Sequence, residues 1–203
     1  MVNWQDIERV GIFAFPEAEE LDIVGIYEVL ACVATLEDQG LLDTGHPLEV
    51  EVIASKKKIR CANGLLLIPH ATTPDFSAYD LIVIPGGSGI RAVMADDAIL
   101  SKIQDFSTEN PIASVCTGAL VLAKAGILSG KKASTHHGVR DELDEYCEVS
   151  TDRVTLDEGI LTAGGVTSTL AAGLKILDLV YDMQVVTVVA DELEIPASLR
   201  PDS

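Results

Sequence analysis

Four places along the chain carry side chains able to do chemistry. The first is Ala113-Ser114-Val115-Cys116-Thr117-Gly118-Ala119-Leu120. A short apolar strand after Asn110-Pro111 turns there abruptly into the run Leu120-Val121-Leu122-Ala123, which ends near Gly126. A cysteine on a strand-to-helix turn stands exposed at the top of a sheet, as a hydrolase nucleophile does. A helix N-terminus favours its thiolate through unsatisfied amides and the macrodipole. Gly118 is expected to keep the space beside the sulfur open. The same pattern also fits a small buried hydrophobe, since free cysteine is often buried. The second place is Asp22, in the first turn of an apolar-periodic helix. It reads either as a helix-start carboxylate or as an acid held against Cys116. A carboxyl beside a thiolate, out of water, is pushed towards its protonated, donating form.

The third place is Pro85-Gly86-Gly87, where the apolar run Leu81-Ile82-Val83-Ile84 breaks. Such a turn can aim backbone N–H groups at an oxyanion, and it can equally do no more than end a strand. The fourth is His136, delivered by the short strand Lys131–His136 to a strand end. A lone histidine there has a structural reading as well as a catalytic one. His137 follows directly, and adjacent histidines are poor geometry for joint metal ligation. The four histidines show no ligand spacing, so neither a metal nor a cofactor is expected.

The elements that must position these residues alternate. Val10–Phe15, Leu48–Ala54, Leu81–Ile84 and the strand before Cys116 read as strands. Leu21, Val24, Ile26, Val29, Leu30 and Val33 mark a first helix. Ile90–Met94 and Ala98–Ser107 read as a short and a longer helix, and Gly138–Tyr146 as a polar one. Asp157-Glu158-Gly159 links two strands in a hairpin. After Gly164-Gly165 a long helix capped at Thr167 or Ser168 is expected to run to Glu192, with a loose tail over 196–203. This order predicts a flavodoxin-like, doubly wound α/β domain over 1–203, mostly parallel and with a small β-hairpin. Its site belongs outside the carboxyl ends of the strands.

With 203 residues, 48% hydrophobic and 4% aromatic, the chain is long enough for one aliphatic core. Its net charge of −18 argues against nucleic-acid binding, which needs a basic footprint. The run Lys56-Lys57-Lys58-Ile59-Arg60 reads as a solvated turn. Cys32, Cys61, Cys116 and Cys147 form no CxxC pair. With no signal-peptide pattern and no apolar stretch of membrane length, a reduced, cytoplasmic protein is expected. Of the four thiols Cys116 is expected to be the most reactive, and Cys32 to be buried in the first helix.

The residues Ala18-Glu19-Glu20-Leu21-Asp22, Ile84-Pro85-Gly86-Gly87, Ser114-Val115-Cys116-Thr117-Gly118, Thr135-His136 and Gly164-Gly165-Val166-Thr167 together resemble the ThiJ/PfpI superfamily, which has a class I glutamine-amidotransferase-like fold. Asp at 22, Thr at 117 and the Leu-Val-Leu-Ala run resemble its isocyanide-hydratase branch and its AraC-type sensor-domain branch equally. The resemblance implies Cys116 as nucleophile, Asp22 as the acid that hydrogen-bonds the thiol region, and N–H groups of the Gly86-Gly87 turn and Thr117 as oxyanion donors. His136 matches the Thr-His position. His137 departs from the Trp common there and changes the pocket wall. Addition of water to an isocyanide is the implied activity. Glyoxalase-, amidase- or protease-type cysteine chemistry and a non-enzymatic ligand or redox sensor are the alternatives. The implied partners are a small-molecule substrate and a second copy of the chain, through the broad apolar face of the first helix; no membrane is implied.

Overall fold

In the computed structural model, residues 3–72 and 75–201 are described. Their central sheet has six strands: β1 (Arg9–Phe13), β2 (Glu49–Ile53), β5 (Leu81–Ile84), β6 (Ile112–Ser114), β9 (Val154–Asp157) and β10 (Ile160–Ala163), in the order β2-β1-β5-β6-β10-β9. Neighbours are parallel except β9, which runs antiparallel to β10 through the Asp157-Glu158-Gly159 turn. Every residue of β5, β6 and β10 is buried, the expected state of strands covered on both faces. Two two-stranded pairs lie outside this sheet: β3 (Ile59–Arg60) with β4 (Leu66–Leu67), and β7 (Lys132–Ala133) with β8 (Glu148–Val149).

Two groups of helices flank the sheet. Helix α1 (Glu20–Asp38) packs with α6 (Ser168–Val180) and α7 (Met183–Glu192). Helices α2 (Ile90–Met94), α3 (Asp97–Phe106), α4 (Ala119–Lys124) and α5 (Arg140–Leu143) form the other group. The expected doubly wound, mostly parallel architecture is what the chain adopts. Between β1 and β5 the strand order reverses, so the loops after β1, β5 and β6 open on one edge. The loops after β5 and β6 carry Gly86-Gly87 and Cys116, and the loop after β1 leads into the first turn of α1, which carries Asp22.

Four local expectations are corrected. The strand through His136 is only Lys132–Ala133 and lies outside the main sheet. It ends because the next donors are used elsewhere: Ser134 N–H goes to Thr162 Oγ1 at 2.8 Å, and His136 N–H to the Cys116 carbonyl at 2.8 Å. The expected helix Gly138–Tyr146 shrinks to a 3₁₀ turn at His137–Val139 followed by α5. The long C-terminal helix is two helices. Asp182 has an extended backbone and accepts from Gln184 N–H and Val185 N–H, so it caps α7 afresh, the usual role of Asp at such a start. The expected tail is partly tied down by a 3₁₀ turn at Ala197–Leu199 and by Arg200, which reaches the Ile195 carbonyl and Asp191. Residues 202–203 lie outside the described residues. Among the described residues no helix is long and apolar enough to cross a membrane.

Candidate active site

Cys116 sits on the turn between β6 and α4 with φ of +92°. A non-glycine residue there is strained and persists only where its surroundings hold it. Here the hold is on its own carbonyl, which accepts from Thr135 Oγ1 at 2.6 Å and from His136 N–H at 2.8 Å. Gly118 permits the turn in a way the sequence did not suggest. A Cβ there would stand 2.4 Å from the Ile84 carbonyl oxygen, so the space it keeps is for the end of β5, not for the sulfur. Nor is the cysteine exposed: its relative exposure is 4%.

Asp22 is brought to this sulfur by α1, and its own relative exposure is 0%. Its carboxyl and the Cys116 thiol are close enough that each shifts the other's proton affinity. Gly86 N–H donates to Asp22 Oδ2 at 2.9 Å, and Thr169 Oγ1 lies 3.0 Å from Asp22 Oδ1. Burial pushes the carboxyl from its ordinary 3.8 up to about 7; the Gly86 N–H opposes this and the charge of Glu19 adds to it. Burial, then the charge of Asp22, likewise push the Cys116 thiol well above its usual range, with the neighbouring Thr117 N–H acting against them. The expected stabilisation of a thiolate by the following helix is therefore outweighed. Helix α4 has only six residues, and the sulfur has lost its water. Burial thus favours the protonated form of both groups, and they titrate as a coupled pair.

The Gly-rich turn is brought here as well, in a different role from the one implied. Gly87 N–H donates to Thr117 Oγ1 at 3.0 Å, and Gly86 N–H is spent on Asp22. Both amides are thus engaged. Gly87 has φ of +122°, and a Cβ there would meet the Glu17 carbonyl at 2.3 Å. Only glycine lets this turn close on the loop before α1, where Glu19 N–H reaches the Gly86 carbonyl at 2.8 Å. That contact sets the start of α1, and with it Asp22.

His136 reaches the elbow through its backbone. Its Nδ1 accepts from Gly138 N–H at 3.1 Å, which leaves the proton of the neutral ring on Nε2. Burial, then the nearby His137 and Arg140, hold it below its ordinary pKa. Among the described residues no hydrogen bond joins its ring to Cys116 or Asp22. His137 lies against it, ring centroids 4.2 Å apart, and is itself exposed. No cluster of three metal-ligating side chains occurs among the described residues.

Two site residues escaped the sequence reading. Thr135 was visible only as part of a motif, and nothing local shows that its hydroxyl holds the elbow. Thr169 was visible only as a hydroxyl in the first turn of a helix. It meets Asp22 because α1 and α6 cross closely. A Cβ on Gly25 would lie 2.8 Å from Thr169 Cγ2, and one on Gly173 would lie 2.8 Å from Val29.

Fold and site together define a class: a flavodoxin-like α/β protein with a buried cysteine on a strained strand-to-helix turn, facing a buried carboxyl. Residues 8–179 match the DJ-1/PfpI family, and the chain belongs to that family. It is 30% identical over 188 residues to an isonitrile hydratase of Pseudomonas putida, covering 92% of this chain and 78% of that one. It is 30% identical over 138 residues to the protein DJ-1alpha of Drosophila melanogaster, covering 65% and 64%. Among solved structures, a ThiJ/PfpI family protein from Pseudomonas syringae superposes with a TM-score of 0.79 at 25% identity, covering 100% of this chain and 79% of that one. An AraC family transcriptional regulator from Pseudomonas putida shares the fold, with a TM-score of 0.76 at 18% identity over 92% of this chain and 99% of that one.

Proposed function

We propose that this protein is a cysteine-dependent enzyme that adds water to an isocyanide and releases an N-substituted formamide. One observation carries the reading: the carboxyl facing Cys116 is fully buried, and that burial pushes it up to about 7, so near neutral pH it can both hold and give up a proton. A group poised near the working pH is the most effective acid–base catalyst. The likeness to an isonitrile hydratase over 92% of the chain supports the choice of substrate class.

The steps use one proton and one nucleophile. Cys116 gives its proton to Asp22, and the thiolate attacks the terminal isocyanide carbon. Asp22 delivers the proton to that carbon, giving a thioimidate with a new C–S and a new C–H bond. Water then adds to the same carbon, and one of its protons goes to the nitrogen. The other goes to Asp22 as the C–S bond breaks and passes from there to the departing sulfur, so the formamide leaves and the starting pair is restored. The Thr117 N–H, which favours the ionised sulfur, stabilises the thiolate at the start and the end of the cycle. The engaged Gly86 and Gly87 amides act on position: one orients Asp22, the other the Thr117 side chain.

Formamide formation from a panel of isocyanides, followed by proton NMR, tests the reading. Wild type is expected to turn over, and Cys116→Ser and Asp22→Asn are not. Turnover of methylglyoxal instead would transfer the same residues to glyoxalase-type chemistry. An amidase or protease reading needs His136 as base, and its Nδ1 is already occupied by Gly138 N–H. Binding without turnover would favour a sensor.

The same reading includes a second copy of the chain. Leu21 and Val24 on α1 are exposed, as are Leu65, Leu66 and Ile68 beside β4. The two stretches adjoin, since Glu20 accepts from Leu65 N–H and Tyr27 stacks on His70. A continuous apolar face beside the site suits a two-fold dimer, which light scattering at micromolar concentration tests.

A further inference from the structure

The hydroxyl of Thr169 has one proton and two oxygens competing for it. Val166 O lies 2.6 Å away and Asp22 Oδ1 3.0 Å away. A carbonyl oxygen can only accept, so the shorter contact takes the hydroxyl proton. The hydroxyl then faces Asp22 with a lone pair. Two oxygens that both lack a proton between them repel, so the 3.0 Å contact is a hydrogen bond only if Asp22 Oδ1 carries the proton. The other carboxyl oxygen agrees. Oδ2 accepts from Gly86 N–H at 2.9 Å, which suits a carbonyl-like oxygen and leaves Oδ1 as the hydroxyl of a carboxylic acid.

The rotamer of Thr169 is fixed by packing. Its methyl is wedged against Gly25 of α1, where a Cβ would be only 2.8 Å away, and the side chain is buried. The wedged methyl fixes the hydroxyl oxygen between the two acceptors, and its proton, free to turn about the Cβ–Oγ1 bond, goes to Val166 O as the nearer one. From this geometry we infer that Thr169 is a positioning residue whose hydroxyl oxygen accepts the acid proton of Asp22 and holds it on Oδ1. The inference rests on the reading of Asp22 as the acid of the proposed reaction.

The consequence for Cys116 is electrostatic. With the proton held on Oδ1, Asp22 is neutral and no longer opposes a thiolate beside it. The remaining titratable groups acting on Asp22 are Glu19 of the preceding loop and Cys116 itself. Helix α6 presents hydroxyls on this side, and Arg153, at the foot of β9, reaches Ser168 Oγ at 3.4 Å. The turn after β5 presents only an amide. Thr169 is thus the group on α6 that decides which protonation state of Asp22 is favoured.

The test is the direction in which the Asp22 midpoint moves, read by carbon-13 NMR of γ-carboxyl-labelled aspartate and assigned with Asp22→Asn. Thr169→Val keeps the shape and removes the acceptor. The midpoint is expected to fall by about half to one pH unit, the scale of one hydrogen bond, while Thr169→Ser keeps the wild-type value. A rise in Thr169→Val would mean that the hydroxyl donates to a carboxylate, and no change would mean that it is not engaged; either overturns the inference. If Thr169→Val loses its fold by circular dichroism, the infrared difference between wild type and Asp22→Asn at about pH 6 decides. A protonated-carboxyl stretch is expected there, and its absence overturns the inference equally. Failure of every isocyanide to react would sink the hydration reading and leave the NMR result standing. A midpoint moving the wrong way would sink the inference with hydration intact.

Discussion

Replacing Asp22 by asparagine should make the protein more stable and much less active. Burial pushes the folded carboxyl from an ordinary 3.8 up to about 7. Between those values the folded chain binds more protons than the unfolded one, so stability falls as pH rises through that window and levels off above it. The full effect of ionising the buried group is about 4 kcal/mol, and the part lost between about pH 5 and about pH 8 is ~2–3 kcal/mol. Keeping below pH 8 leaves the unfolded cysteines protonated and out of the comparison. Asparagine still offers an oxygen to Gly86 N–H and an amide to Thr169 Oγ1, and it never ionises. Urea denaturation of both proteins across this range measures the difference. Wild type should weaken with rising pH by that amount more than Asp22→Asn, and the variant should be the more stable at pH 8. Turnover of an isocyanide should drop at least about a hundredfold, the usual scale of general acid help. Stability curves that fall in parallel would show that Asp22 is not a buried acid at all, and the catalytic argument would lose its basis.

Three further outcomes follow from the site. Thr135→Val removes the 2.6 Å hydrogen bond to the Cys116 carbonyl and should reduce turnover, with recovery in Thr135→Ser; single-turnover kinetics on both variants checks it. Gly118→Ala forces a Cβ to within 2.4 Å of the Ile84 carbonyl and should cost about 1–3 kcal/mol or more in urea denaturation, as overpacked sites do. Cys147 is only partly buried while Cys32, Cys61 and Cys116 are buried. A bulky maleimide should therefore label Cys147 first, and peptide mapping should find Cys116 modified only by small reagents such as iodoacetamide.

Much of the molecule is decided by local pattern. The apolar run Leu81–Ile84, the Pro85-Gly86-Gly87 break, the elbow at Cys116 and the Asp157-Glu158-Gly159 turn each state their own conformation, because hydrophobic period and turn chemistry act over a few residues. Alternation of these elements then limits the topology and puts Asp22, Gly86 and Cys116 on one edge of one sheet. The break before α7 was also within reach, since Asp182 is a good N-cap; helical apolar spacing on both sides concealed it. What tertiary structure alone decided is the state of the site. Whether the Cys116 sulfur keeps its water depends on the chain packed over it, and burial reversed the pKa direction expected from the helix end. Thr169 meets Asp22 across 147 residues of sequence only because Gly25 and Gly173 let α1 and α6 approach closely. Gly86 and Gly87 spend their amides on neighbours whose positions no local pattern reveals. A residue's type is written in the sequence, but its solvent, its charge and the partner of its proton are set by surfaces that meet only when distant segments pack.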